Sequence, residues 1–365
     1  MLLYLIALAT LTACERTGSG VRPAVSGSLI AVIGVSENDP HWPGIAGGAR
    51  RYFTGVPIFR GACVAPADGS PDKLQAVVAG VLEQRPSAVC IQIADPNAAA
   101  PAVEPFLSRQ IPVVTIGTPY ADSRIIAHLG INLLDAAEQL ARQLDQVAAG
   151  SRTYLLLHES GRDEVATARY ERFRMAAQAH STLRLLEEEN AFADQRGPVA
   201  LIELMLAEYP HAGLLITLAP DVWLTPDAGW KSELRRRNAD FRFITFSAAP
   251  VLWRKLGTPE QRGEAAALVG VLDGDLGHRA VECAVSLLMG APTPNRERLL
   301  LCEVVTPESL PDFAQRYAAA AGGLDITRYL PTAAPRGPAG PGASAPAGVA
   351  ASRPQRPAST TRATR

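Results

Sequence analysis

The sequence has little excess charge of either sign, and its cysteines and histidines are not arranged for metal binding. The 365 residues carry 35 Lys and Arg against 36 Asp and Glu, a formal net charge of -1. This balance predicts no basic surface for nucleic acid or for an anionic membrane. The five cysteines form no C-x-x-C pair, and the six histidines never recur at i and i+4, so we expect no metal site.

Familiar catalytic motifs are also missing. No G-x-S-x-G, H-E-x-x-H, G-x-x-x-x-G-K-S/T or G-x-G-x-x-G motif occupies a strand-to-helix turn. His158 and Glu159 follow an apolar run and could line a cleft, but no nucleophile accompanies them in a recognisable motif. We therefore expect neither an enzyme nor a cofactor.

The apolar run at the N-terminus is too short for a membrane span. Met1 to Ala9 is unbroken but falls well below the about 20 residues that a spanning helix needs. Together with Leu11-Thr12-Ala13-Cys14, this run is typical of a bacterial lipoprotein signal, although no Lys or Arg precedes it. We predict a signal peptide over residues 1–14, lipidation at Cys14, and a tether over residues 15–27. A buried N-terminal strand or a chance cysteine is the alternative.

Through most of the chain, short apolar runs alternate with segments whose apolar residues recur at the spacing of an amphipathic helix. The strand-like runs are Leu29 to Val35, Ala88 to Ile93, Pro112 to Ile116, Tyr154 to Leu157, Gly213 to Leu218 and Phe241 to Phe246. The clearest helices begin at Ser70-Pro71, Asn132 and Pro198. Such alternation predicts βαβ units and parallel sheets covered on both faces. We expect an α/β fold of two doubly wound parallel-sheet lobes joined by a multi-strand hinge.

A sequence break near Gly117-Thr118-Pro119 separates two series of such units. We place the N-terminal lobe at residues 28–117 plus 273–300, and the C-terminal lobe at 118–272 plus 301–330. Residues 331–365 are rich in Pro and Ala and contain no acid, so they predict a disordered tail. Cys63, Cys90, Cys283 and Cys302 are predicted as buried free thiols, with oxidation of one pair as the alternative in an exported chain.

Several segments resemble the ribose/galactose-type periplasmic solute-binding proteins, which have the type I fold. Asn38-Asp39-Pro40-His41-Trp42 is similar to the family's Asn-Pro-Phe-Phe segment, and Ala94-Asp95-Pro96 to its Ser-Asp-Pro segment. Ile111-Pro112-Val113-Val114, Arg169 to Phe173 and Gly277 to Gly290 resemble later family motifs in the same order. The resemblance covers about Leu29 to Val305.

This resemblance implies ligand contacts in the first lobe at Asp39, His41, Trp42 and Asp95. An aromatic ring covers the apolar face of a sugar, while carboxylates accept hydrogen bonds from its hydroxyls. Three alternatives remain open. Trp42 would pack on the core at a helix start, Asp95 would form a turn before Pro96, and His41 would face solvent.

The second lobe departs from the family pattern at five positions where the family has polar residues. The residues at these five positions are Thr167, Pro220, Ser247, Val271 and Gly117. Three other residues follow strands in this lobe: Phe192, Asp221 and Trp223. They are candidates for ligand contacts that would replace the family's missing ones. For each of them a structural role is equally expected.

The expected function is extracytoplasmic capture of a small polar ligand, a sugar or sugar-like molecule. The protein would lie in the periplasm or at the cell surface, anchored by a lipid on a bacterial membrane, with no nucleic-acid partner. It would serve the permease of an ABC-type importer or a membrane sensor. The alternative is an envelope lipoprotein that keeps the fold, has lost sugar binding, and acts through protein partners.

Overall fold

The computed structural model describes residues 27–148, 150–224, 241–259, 261, 263–291 and 297–331, without the side chains of residues 220 and 221. The predicted signal peptide with Cys14, residues 15–26 of the tether, and the tail after residue 331 lie outside the described residues. The four cysteines within them are free, and only Cys63 is partly exposed.

Strands and helices alternate along the described chain. The strands are β1 (Leu29–Ile33), β2 (Arg60–Val64), β3 (Ala88–Ile93), β4 (Val113–Gly117), β5 (Ala127–Ile131), β6 (Thr153–His158), β7 (Arg184–Asn190), β8 (Leu214–Thr217), β9 (Arg242–Thr245), β10 (Ala265–Gly270), β11 (Glu297–Leu300) and β12 (Glu303–Val305). The helices are α1 (Trp42–Gly55), α2 (Pro71–Glu83), α3 (Ala100–Leu107), α4 (Leu133–Val147), α5 (Glu164–His180), α6 (Gly197–Glu208), α7 (Trp253–Leu256), α8 (Asp273–Leu288) and α9 (Leu310–Ala320). Short 3-10 helices cover Pro220–Trp223, Pro250–Leu252 and Thr327–Tyr329.

The strands form two six-stranded sheets. The first has the order β11-β5-β4-β3-β1-β2 and the second the order β12-β10-β9-β8-β6-β7. Neighbouring strands are parallel throughout, except that β12 runs antiparallel to β10. We call the first sheet with its helices the first lobe and the second sheet with its helices the second lobe. The predicted two-lobed α/β fold is confirmed.

The chain passes between the lobes three times, and the predicted first boundary at Gly117 is wrong. Strand β5 follows β4 and pairs with it in parallel, so the first lobe extends to Ile131 and the first crossing lies at Asn132. Gly117 is instead the last residue of β4, where its φ of 93° favours glycine. The other two crossings follow β10 and β11.

Local sequence accounts for the best-defined elements. All five residues of β1 and five of the six in β3 are buried, as expected for central strands with helices on both faces. Helix α4 begins after Asn132, whose side chain accepts a hydrogen bond from the Asp135 backbone N–H. Helix α2 begins with Pro71, whose missing N–H costs nothing at that position.

Helices α1, α8 and α9 meet with almost no side chain between their backbones. A Cβ atom on Gly48 would overlap the carbonyl oxygen of Gly274, and one on Gly47 would overlap that of Ala321, just after α9. Phe313 and Tyr317 anchor the other face of α9 in the core of the second lobe. Helix α9 therefore ties the second lobe to α1 and α8 of the first.

Within the described residues, no helix combines the length and the apolar character that crossing a membrane requires.

Candidate functional site

Polar side chains from both lobes meet where the carboxyl ends of the two sheets face each other. His41 comes from the segment between β1 and α1, and Ser247 follows β9 in the second lobe. The His41 Nε2 and Ser247 Oγ atoms are 3.4 Å apart. We call the group at this place the seam cluster: Asp39, His41, Gln92, Ser247, Asp273 and Tyr317.

Asp273 is the buried acid of the seam cluster. It is the first residue of α8, where the partial positive charge of the helix N-terminus stabilises a carboxylate. Its Oδ2 atom accepts a hydrogen bond from the Tyr317 hydroxyl at 2.7 Å and lies 3.0 Å from His41 Nδ1. Burial, together with the charge of Asp273, raises the pKa of Tyr317 well above its ordinary value. Tyr317 therefore stays protonated and donates, and the carboxylate orients the imidazole.

Asp39 fixes the loop that carries His41. Its Oδ2 atom accepts a hydrogen bond from Gln92 Nε2 at 2.6 Å, and its Oδ1 atom accepts one from the His41 backbone N–H at 3.1 Å. Gln92 is in β3, and its Oε1 atom also accepts from the Val35 N–H at 3.3 Å. The Gln92 side-chain amide thus binds the β1–α1 loop at two residues, Val35 and Asp39. Asp39 has acceptor capacity left for a ligand hydroxyl.

Trp42 lies in the core of the first lobe. Its side chain is 7% exposed and belongs to the hydrophobic cluster under α1. The indole covers the backbone of Gly34, where an added Cβ would come within 2.5 Å of Cε3. In this conformation little of the ring is accessible to a ligand, which matches the alternative of a helix-start residue packed on the core.

Asp95 and Phe192 are exposed and have local partners. The Asp95 Oδ1 atom accepts a hydrogen bond from the Asn97 N–H at 2.9 Å, as in the turn alternative. Phe192 is 55% exposed, and its N–H donates to Asn190 Oδ1 at 3.0 Å. No hydrogen bond in the described residues joins either of them to the seam cluster.

Trp223 belongs to the interior of the second lobe. It is 7% exposed, and its Nε1 atom donates to Thr217 Oγ1 at 3.0 Å. Its ring stacks on Phe243 with centroids 3.7 Å apart. These contacts leave no open ring face for a ligand. Asp221 lies in the 3-10 helix before Trp223, and its side chain is outside the described residues.

Sequence reasoning missed four members of the seam cluster: Gln92, Ser247, Asp273 and Tyr317. A signal for Asp273 existed, because it follows β10 and ligands in doubly wound folds bind beyond the carboxyl ends of strands. Nothing in the sequence marks Tyr317, since α9 reaches the seam only through tertiary packing. Among the residues that the structure describes, no group of three His, Cys, Asp or Glu is arranged to hold a metal ion.

Comparison with known proteins gives one family match. The model of the periplasmic binding protein domain matches residues 30–292. No curated protein sequence matches the chain.

Solved structures share the fold at low sequence identity. A glucose-galactose binding protein from Geobacillus stearothermophilus is 18% identical, with a TM-score of 0.61 over 79% of this chain and 100% of that one. An arabinose binding protein from the same organism is 14% identical, with a TM-score of 0.63 over 79% of this chain and 99% of that one. An ABC transporter solute binding protein from Agrobacterium vitis with bound allitol is 15% identical, with a TM-score of 0.60 over 80% of this chain and 100% of that one.

At these identities the structural neighbours establish the fold alone. The family model, in contrast, spans most of the chain, from β1 to the end of α8. The two parallel sheets, the three crossings and this match lead to one conclusion: the chain belongs to the periplasmic binding protein family and has its type I fold.

Proposed function

We propose that this protein is an extracytoplasmic binding protein that captures a small polar ligand, a sugar or sugar-like molecule, between its two lobes. It would deliver the ligand to the permease of an ABC-type importer or present it to a membrane sensor. Cys14 would carry the lipid that anchors the protein to the membrane.

The seam cluster is the observation that carries this proposal. His41 in the first lobe and Ser247 in the second are in direct contact, and both follow strands at facing sheet edges. A ligand that enters when the lobes separate would replace this contact with its own hydrogen bonds to both residues. Closure would then be favoured by the ligand, as in hinge-bending proteins.

The chemistry of the exposed edge suits a hydroxylated ligand. Asp39 retains acceptor capacity, His41 and Ser247 can each donate or accept, and Asp95 is exposed beyond β3. Phe192, exposed beyond β7, would offer an apolar face once the lobes open, and Asp221 would add an acceptor from the second lobe. Trp42 and Trp223 would not contact the ligand themselves but would pack, inside the cores of the two lobes, beneath the residues that do.

The test is a thermal-shift screen of pentoses, hexoses, polyols and sugar acids on protein that has been unfolded and refolded to remove any copurified ligand. A ligand at 100 times its Kd raises stability by about 2.7 kcal/mol, which is readily measured. His41→Ala is expected to abolish the shift. Asp72→Asn, at an exposed site on α2, is the matched control and should retain it. A shift that survives in His41→Ala would contradict the proposal.

One observation favours a second candidate function, an envelope lipoprotein that acts through protein partners. Both candidate tryptophans, Trp42 and Trp223, are packed inside the lobes, and each is only 7% exposed. A screen in which no small molecule raises the melting temperature, followed by capture of an envelope protein by the lipidated full-length chain, would support this function over ligand capture.

A further inference from the structure

Helix α9 is fixed in the second lobe by its buried side. Phe313 and Tyr317 are 1% and 0% exposed, and their ring centroids lie 6.2 and 5.3 Å from that of Trp253 in α7. Leu310 and Ala314 belong to the same hydrophobic cluster. Because these side chains are packed in the core, α9 moves with the second sheet whenever the two lobes move relative to each other.

Two side-chain hydrogen bonds join α9 to the first lobe. The Tyr317 hydroxyl donates to the Oδ2 atom of Asp273, at the start of α8, at 2.7 Å. The Nη1 atom of Arg51, on α1, donates to the carbonyl oxygen of Ala319 at 3.3 Å. The Nη2 atom of the same guanidinium donates to Asp275 Oδ1 at 3.4 Å, so Arg51 binds α9 and α8 together.

The backbone of the first lobe lies directly against the end of α9. A Cβ atom on Gly47 would overlap the carbonyl oxygen of Ala321, and one on Gly274 would overlap the carbonyl group of Ala320. Only glycine permits so close an approach of two backbones. Because such packing leaves no slack, a displacement of one lobe against the other disrupts it.

These contacts lie far from two of the three crossings. Helix α1 covers β2, where Phe53 fills the space above Gly61 and Cys63 Sγ lies 3.8 Å from the Ala46 carbonyl oxygen. Strand β2 forms one edge of the first sheet, while β5 and β11, from which the chain crosses, lie at the other. With strands about 4.8 Å apart, β2 and β5 are separated by roughly 19 Å. A rotation about those crossings that opened the gap would therefore move α1 away from α9.

We propose that α9 is a latch whose contacts with α1 and α8 hold the two lobes together, so that the gap opens only when the end of α9 separates from α1. This inference concerns the movement of the lobes and goes beyond the proposed function. The latch acts in parallel with the contact between His41 and Ser247. A molecule that binds between the lobes enters through the open form, so the latch would set the fraction of protein that can admit it.

The test measures the radius of gyration of the refolded full-length protein by small-angle X-ray scattering. The double variant Gly47→Ala/Arg51→Met places a methyl group against Ala321 and removes the hydrogen bond to Ala319. Together the two changes should raise the ratio of open to closed forms by at least about tenfold. We therefore expect a larger radius of gyration than in the wild type.

The matched control makes the same replacements at the two neighbouring positions. In Gly48→Ala/Arg50→Met, the added methyl group meets Gly274 within the first lobe, and the arginine removed is exposed. The control should therefore keep the wild-type radius. If the double variant fails to fold, Arg51→Met alone takes its place, because it adds nothing to the helix contact, and it should scatter with a larger radius than Arg50→Met.

Expansion of the latch variant alone supports the inference. An unchanged radius in that variant, or equal expansion in the control, would overturn it. The measurement needs no ligand, so its outcome is independent of the proposed function. A screen in which no small molecule binds would contradict the proposed function and leave the latch intact, whereas a ligand that binds a protein whose radius the latch variant leaves unchanged would do the reverse.

Discussion

The Nε2 atom of His41 lies 3.4 Å from the Oγ atom of Ser247, and this contact joins the two lobes across the gap between their sheets. The other ring nitrogen of His41 lies 3.0 Å from the buried carboxylate of Asp273. His41 is thus oriented from the first lobe and meets the second lobe directly. Under the proposed function, the balance between open and closed conformations would depend on this contact and on the α9 helix beside it.

Ser247→Ala tests the contribution of this contact. Removing the hydroxyl deletes its hydrogen bond with His41, and also one from the Ala249 N–H that stays within the second lobe. The bond between the lobes contributes about 0.5–1.5 kcal/mol, so its loss should shift the unliganded protein toward the open form by roughly two- to twelvefold. Small-angle X-ray scattering would report a larger radius of gyration. The control Ser108→Ala, at an exposed position after α3, should scatter as the wild type does. An unchanged radius for Ser247→Ala would show that the contact does not hold the lobes together.

Tyr317→Phe should destabilise the fold through Asp273. The hydroxyl of Tyr317 is the 2.7 Å donor to a carboxylate that is 3% exposed, so its loss leaves a buried charge short of a partner. We expect a loss of about 1–3 kcal/mol in the free energy of unfolding, measured by denaturant titration. Tyr329→Phe, which removes only a hydroxyl paired with the exposed Arg328, should change it by less than about 0.5 kcal/mol. Equal effects of the two changes would contradict the assigned role.

Two glycine-to-alanine substitutions should change the free energy of unfolding in opposite directions. Gly48→Ala places a methyl group on the carbonyl of Gly274 and must separate α1 from α8, so we expect a loss of about 1–3 kcal/mol from overpacking. Gly80→Ala adds a methyl group on α2 with nothing within 4 Å and should stabilise the protein by about 0.5–1 kcal/mol. Thermal denaturation distinguishes the two. Tolerance of Gly48→Ala would contradict the close helix packing.

Stability should decline as the pH falls from about 6.5 toward 4, because His128 is buried in its neutral form. Burial lowers the pKa of His128 to about 4, while an unfolded histidine titrates near 6.5. The unfolded state therefore binds more protons in this interval. The contribution of His128 to the free energy of unfolding is fully present above pH 6.5, and acidification reduces it by up to about 1.4 kcal/mol per pH unit. Melting temperatures measured across this range should show a steeper decline in the wild type than in His128→Asn.

The control for the pH series is His180→Gln. His180 is exposed at the end of α5, so its removal should leave the decline unchanged. Burial also lowers the pKa values of His158 and His278, and a residual slope should therefore persist in His128→Asn. A wild-type melting temperature that stays constant between pH 6.5 and 4.5 would contradict the burial of these rings as neutral groups.

The sequence predicts the fold well because central parallel strands are continuous apolar runs. Strands β1 and β3 and helices α2 and α4 fall close to their predicted positions for this reason. Strand β5 was missed because its Ala-His-Leu-Gly-Ile sequence breaks the apolar run with His128 and Gly130. Strand β7 was missed because it carries three consecutive glutamates at the edge of its sheet, where side chains are only half-buried.

The candidate site was predictable only in part. The resemblance placed Asp39 and His41 in a loop that the structure does bring to the seam between the lobes. It did not place Tyr317 there, because the position of Tyr317 depends on how α9 packs against the first lobe. Burial also separates Trp42 and Trp223 from the exposed Phe192, a difference that residue type alone does not encode.

The central claim is capture of a small hydroxylated ligand between the lobes, and calorimetric titration of the refolded wild-type protein against His41→Ala tests it most directly. The ligand would be the sugar or sugar acid that raises the melting temperature most. The account predicts saturable binding of one molecule per chain in the wild type and loss of the binding heat in the variant. Equal binding by both proteins, or no binding by the wild type, would contradict it.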